Sequence, residues 1–127
     1  MKTAFVTGGG GGLGAAIAAR AAAQGYKVAV VDMNHDNAKA IAATIKGAVP
    51  LQADVTSERS VEKALDDFGA VPDLVVNNAG LVRFGPLLDQ SFDDFRSVVA
   101  VNLVGAHIVS VLAARRMVKR GSGSIVN

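Results

Sequence analysis

The sequence predicts an α/β fold, a doubly wound parallel sheet with helices on both faces. Three observations carry that expectation. Short apolar runs alternate with helical stretches five times along the 127 residues, which puts crossover helices between parallel strands buried on both faces. Right-handed crossovers leave few topologies, the doubly wound one being the most common. Pro50 lies inside the third run, and proline is tolerated in a sheet only at an edge or bulge. In the strand order 3-2-1-4-5 the third strand is an edge.

Each element follows from local chemistry. Ala4–Val6 forms a short strand running into glycines, and Leu13 to Gln24 follows as an Ala-rich helix ended by Gly25. Lys27 to Val31 is a β-branched run closing on Asp32. Asp36 to Lys46 reads as a helix, capped by Asn34 or Asp36 and ended by Gly47. Ala48 to Ala53 is the third strand. Thr56 or Ser57 caps a helix to Phe68, and Asp73 to Val76 is the fourth strand. Ser91 opens a long helix with Asp94 as a capping-box partner. It ends near Arg120–Gly121, after a cationic turn (Arg115, Arg116, Lys119, Arg120) suited to the negative end of the helix dipole. Ser124 to Asn127 begins the fifth strand.

Composition narrows the function classes. Half of the chain is hydrophobic and 19% is charged, which excludes intrinsic disorder. With no Trp and one Tyr, the core is built from Val, Leu, Ile and Ala. A net charge of +2, scattered along the chain, does not argue for nucleic acid. The absence of cysteine leaves no disulfide framework and no thiolate metal site, and cytosol is the natural compartment. His35 and His107 lack partners at metal-ligand or triad spacing, so no metal site is expected. The start of the chain is no signal peptide, because glycines stand where its apolar region belongs. Ser97 to Ala114 approaches the length of a membrane span, but Asn102, His107 and two serines make a buried or subunit-interface helix the better reading.

The loop Thr7-Gly8-Gly9-Gly10-Gly11-Gly12-Leu13-Gly14 joins the first strand to the first helix. A pyrophosphate needs close backbone approach, which Cβ atoms block, and N–H groups at a helix N-terminus. A flexible, ligand-free turn shares this composition but not this place between strand and helix. The phosphate loop of NTPases requires Gly-Lys-Ser/Thr, whereas Ala15 and Ala16 follow Gly14. Asp32, with Met33 beside it, ends the second strand. Its carboxylate can accept hydrogen bonds from ribose hydroxyls and repel a 2′-phosphate, or it can cap the next helix. No Arg or Lys in the loop or directly after Asp32 is placed to hold such a phosphate, Lys39 being the nearest downstream. NAD is therefore expected over NADP.

The pattern Thr-Gly-x-x-x-Gly-x-Gly at positions 7 to 14 resembles the short-chain dehydrogenase/reductase family, a branch of the Rossmann folds. Asp54-Val55 looks like that family's adenine contact. Asn77-Asn78-Ala79-Gly80 matches its most recognisable tetrapeptide, and Gly123-Ser124-Ile125-Val126-Asn127 looks like the start of its fifth strand. The resemblance runs through the whole chain in order. It implies that Gly8, Gly10, Gly11, Gly12, Leu13, Gly14, Asp32, Met33, Asp54, Val55, Asn78, Ala79 and Gly80 bind the cofactor. These positions lie at strand carboxyl ends around the switch point, where such folds bind ligands. Taken alone, Asp54 reads equally as a helix cap and Asn77-Asn78-Ala79-Gly80 as a turn. Asn102, among valines and leucines, reads as a core amide bonded to backbone; the resemblance adds the role of catalytic asparagine, holding a water that links a lysine to solvent.

The resemblance places the family's serine three positions beyond Asn127 and its Tyr-x-x-x-Lys further on. Tyr26 lies on the wrong part of the fold for the tyrosine. The expectation is therefore an NAD-binding domain over 1–127, truncated after the fifth strand, whose catalytic and substrate part lies downstream. The enzyme it implies transfers hydride between a nicotinamide cofactor and an alcohol/ketone pair, as a cytoplasmic homo-oligomer packing the long helix against its partner. Leu81 to Asp89 is expected to line an apolar side of the substrate pocket, through Leu81, Val82, Phe84 and Leu87. The alternative is a stand-alone, non-catalytic dinucleotide-binding module or sensor.

Overall fold

A computed structural model describes residues Met1–Asn127. Five strands, β1 (Thr3–Thr7), β2 (Lys27–Asp32), β3 (Val49–Gln52), β4 (Leu74–Val76) and β5 (Ser124–Val126), form one parallel sheet in the order β3-β2-β1-β4-β5. The helices are α1 (Gly12–Ala23), α2 (His35–Ala42), α3 (Glu58–Phe68), α4 (Phe92–Val99) and α5 (Ala106–Arg120).

Successive strand side chains point to opposite faces, and this divides the core into two layers. Ala4 and Val6 of β1 meet Val28, Val30 and Val76 on one face, under Ala18 and Ala21 of α1 and Ala38 and Ala42 of α2. The helix residues are alanines, which allows close approach to the sheet. Phe5 points the other way and packs with Ala29, Val31, Val75, Val61 and Phe68 of α3, and Val109 and Met117 of α5. The Phe5 and Phe68 rings meet at 6.1 Å between centroids with a 58° tilt, a favourable aromatic geometry. Pro50 sits in β3 opposite Val30, on the sheet edge where a missing N–H is tolerated.

Four expectations are corrected. The second helix ends at Ala42 rather than Lys46. Thr44 and Ile45 instead donate to the carbonyls three residues back, Ile41 and Ala42, so the last turn tightens and buries Ile45. The long helix is interrupted by a π-helical segment, Ala100–Gly105, between α4 and α5. The capping box at Ser91 is half made. Ser91 accepts from the Asp94 amide at 3.0 Å, but the Asp94 carboxylate faces Arg83 at 3.7 Å. Finally, Ser97–Ala114 is only partly a buried helix. Phe92–Arg120 has the length and apolarity of a membrane span; within it α5 packs Val109, Leu112, Ala113 and Met117 into the core, whereas α4 buries no residue.

Candidate functional site

Strands β1 and β4 are neighbours, and α1, which follows β1, packs on one face of the sheet while α5, the helix leading to β5, packs on the other. A crevice opens at the carboxyl ends of β1 and β4, and its two rims are the glycine loop and Asn77–Leu81.

Packing dictates the glycine content of the first rim. Gly8 has φ +62°, a left-handed conformation that side chains resist, and a Cβ there would come within 2.9 Å of Ala79 Cα. A Cβ on Gly14 would stand 2.0 Å from the Gly8 carbonyl oxygen, and one on Gly10 would stand 2.7 Å from the Asp32 carboxylate. Gly11 and Gly12 face open space. The first helical bond of α1 is the Ala15 amide to the Gly11 carbonyl, so the amides of Gly12, Leu13 and Gly14 have no helical partner. An open stretch of backbone thus ends at an electropositive helix start, a cradle that fits an anionic diphosphate.

Asp32 ties this loop to β2. One carboxylate oxygen accepts from the Gly10 amide at 3.0 Å and the other from the Asn34 amide at 2.9 Å. The cap of α2 is Asn34, whose side chain accepts from the Asn37 amide. Asp32 is therefore free of the capping role, and each oxygen keeps a lone pair for a further donor.

Thr7 joins the two rims. Its buried hydroxyl donates to the Val76 carbonyl at 3.3 Å and accepts from the amides of Asn78 and Ala79, both at 3.1 Å. The Asn78 side chain donates to the Gly8 carbonyl at 3.1 Å. Asn77 reaches the other way, donating to Ser110 of α5 and to Asn127, both at 2.8 Å. Sequence reasoning placed Thr7 only as the first letter of a motif. Its signal was a hydroxyl at the carboxyl end of a strand whose middle, Ala4–Val6, is apolar.

Asn102 is exposed, not buried as its apolar neighbours suggest. It lies in the π-helical segment and clamps the Leu81 backbone, accepting from the Leu81 amide at 2.7 Å and donating to its carbonyl at 2.9 Å. The wider turn carries this amide off the helix axis toward the second rim. Close by, Gly105 lets α5 approach Val55, whose Cγ2 would lie 2.6 Å from a Cβ at that position.

The cleft between the rims encloses about 300 Å³. Gly8, Asp32, Met33, Asp54, Val55, Ala79 and Gly80 line it, together with Thr7, Val31, Ala53, Leu81, Arg83 and Val101. Gly11, Gly12 and Leu13 lie exposed at the start of α1, and Gly14 is buried beneath the loop. Asp54 spends one oxygen on the amide and hydroxyl of Thr56, at 2.9 and 2.7 Å, while Ser57 caps α3; its other oxygen remains for the cleft. Of the residues expected to line a substrate pocket, Leu81 also borders this cleft. Val82, Phe84 and Leu87 are 60%, 96% and 84% exposed. Arg83 borders it too, and no sequence signal announced this because it depends on the path of an irregular loop.

The chain is similar to known proteins over nearly all of its residues. A family model described as short chain dehydrogenase matches residues 2–127. D-threitol dehydrogenase of Mycolicibacterium smegmatis is 38% identical over 134 residues, covering 99% of this chain and 51% of that protein. Sorbitol dehydrogenase of Cereibacter sphaeroides is 33% identical over 132 residues, covering 99% and 51% respectively. Among solved structures, sorbitol-6-phosphate 2-dehydrogenase from Erwinia amylovora superposes with a TM-score of 0.88 at 38% identity, covering 97% of this chain and 52% of that one. A short-chain type dehydrogenase/reductase from Mycobacterium marinum gives 0.91 at 33% identity, covering 98% and 52%. The chain spans about half the length of the curated relatives it matches.

Proposed function

The chain belongs to the short-chain dehydrogenase family, and on that premise we propose that it is the NAD-binding part of a cytoplasmic oxidoreductase acting on an alcohol/ketone pair. The observation that carries the reading is the crevice itself, where a Cβ-free cradle and the Asp32 carboxylate flank one cleft. The cradle suits the diphosphate, with Gly11, Gly12 and Leu13 offering amides at the start of α1. Asp32 accepts from the adenosine ribose hydroxyls, while Asp54 and the exposed Met33 flank the adenine. Asn78, Ala79 and Gly80, the first two tied to the Thr7 hydroxyl, would offer backbone to the ribose. When bound, the nicotinamide supplies hydride donor or acceptor chemistry.

Asn102 is the catalytic asparagine of this reading. Its amide holds both backbone groups of Leu81 and so positions the second rim, while one N–H and one lone pair remain for a further partner. Relatives named for threitol, sorbitol and sorbitol 6-phosphate favour a small polyol as the substrate alcohol. The uncovered apolar side chains of Phe92, Phe95, Leu103 and Val104 support a homo-oligomer built on the long helix.

Titration with NADH and NADPH, followed by nicotinamide fluorescence, tests the proposal. NADH should bind more tightly, and Asp32→Ala should narrow the gap by about ten-fold, the worth of one lost charge-assisted hydrogen bond and one relieved repulsion. Equal affinities in the unmutated protein would remove the NAD assignment, and no binding of either would remove the site.

A further inference from the structure

We propose that Arg83 is the phosphate-facing cation of the cleft, meeting the diphosphate that NADH and NADPH share. The inference rests on the dinucleotide reading of the cleft and extends it to a residue outside the sequence motifs. Arg83 is the one basic residue lining the cleft, whose lining also holds two acidic residues, Asp32 and Asp54. The first rim carries no Lys or Arg from Thr3 to Ala19. For a ligand with two phosphate charges entering a cleft with two carboxylates, the amides of the first rim offer only partial positive charge, and a full counter-charge comes from the second rim.

Arg83 is free to supply it. Its Nε lies 3.7 Å from the Asp94 carboxylate, both side chains are about half exposed (47% and 51%), and only its Nη1 makes a hydrogen bond, to the Val82 carbonyl at 3.3 Å. An exposed pair at that distance is a weak restraint. The planar guanidinium offers paired donors that match phosphate oxygens, a geometry a lysine does not reproduce. Asp94 acts as a parking place that holds the arginine over the second rim until an anion enters. The Asn102 clamp, two residues away on Leu81, fixes the base from which Arg83 swings.

Calorimetric titration of the full-length protein with adenosine, ADP and adenosine 2′,5′-bisphosphate tests this at low and moderate salt. Arg83→Gln should weaken ADP about ten-fold, with adenosine unchanged and the loss shrinking as salt rises. Arg83→Lys should recover part of it, and Asp94→Asn should strengthen ADP two- to three-fold, roughly the worth of an exposed ion pair. An ADP affinity unmoved by Arg83→Gln would overturn the proposal. So would an equal loss for adenosine, which marks a structural role, or a loss confined to the 2′,5′-bisphosphate, which assigns Arg83 to a 2′-phosphate. If the unmutated protein binds neither adenosine nor ADP, the cleft reading itself falls; binding of both with an inert Arg83→Gln removes Arg83 alone.

Discussion

Replacing Gly14 by alanine is the sharpest test of how the first rim is built. The new Cβ would stand 2.0 Å from the Gly8 carbonyl oxygen, and ordinary contact begins at 3.4 Å, so the loop must retreat by about 1.4 Å. The obstacle is backbone, which cannot rotate away as a long side chain can. The same Cβ would lie 2.5 Å from Asn78 Nδ2, which donates to that same carbonyl at 3.1 Å. Overpacking costs about 1–3 kcal/mol, and losing the hydrogen bond adds about 0.5–1.5 kcal/mol. A total of about 2–4 kcal/mol corresponds to a melting temperature lower by roughly 10 °C for a domain of this size. Dinucleotide affinity should fall with it, because both rims move. Gly11→Ala is the internal control. Gly11 has φ 176°, ordinary extended backbone, and nothing lies within 4 Å of its Cβ position, so its stability should change by less than about 0.5 kcal/mol. Thermal unfolding by circular dichroism, paired with NADH titration, reads both variants. If Gly14→Ala melts like Gly11→Ala, the account of the loop is wrong.

Thr7→Val should cost about 1–3 kcal/mol by denaturant titration, because it leaves the part-buried Ala79 amide without an acceptor and the Asn78 amide with the Val76 carbonyl alone; a loss under about 0.5 kcal/mol would show that other groups hold the rims. Asn102→Ala should speed amide exchange at Leu81 and its loop neighbours while leaving strand amides protected, since its two bonds serve that loop alone; unchanged exchange at Leu81 would refute the clamp. Asp73 has a carboxyl pKa below its ordinary value, chiefly because the Thr3 amide donates to it, with the Thr3 hydroxyl and Arg120 adding to the effect. A depressed folded-state pKa stabilises above the unfolded value and is lost as pH falls from about 4 through the folded pKa. Asp73→Asn should therefore flatten the acid limb of a stability-versus-pH curve, and a limb as steep as before would exclude Asp73 from it.

Most of the fold was legible because its signals are local. β-Branched runs such as Lys27–Val31 specify strands wherever they pack, and Pro50 marks an edge without reference to any partner. The glycine loop was legible because close packing between a strand end and a helix start demands the small residue at Gly8, Gly10 and Gly14. Other features arise from meetings between distant residues. The π-helical turn accompanies the Asn102–Leu81 clamp across 21 positions, and helical periodicity carries no trace of it. The same gap hid the exposure of Asn102, whose neighbours are apolar although they face outward. Arg83 and Asp94 meet only because the loop between the fourth strand and α4 folds back, and composition does not encode that path. The second helix was overextended because Ile45 continues an apolar helical pattern, while the tight turn at Thr44 and Ile45 buries it by another route.

The proline in β3 has a consequence for how this sheet meets other chains. A parallel sheet has two free margins, and each offers unpaired amides on which a foreign strand can template itself. At the β3 margin Pro50 interrupts that row of donors, opposite Val30, and a template with a missing rung extends poorly. Strand addition at the β3 margin is therefore disfavoured by the sequence of that strand itself.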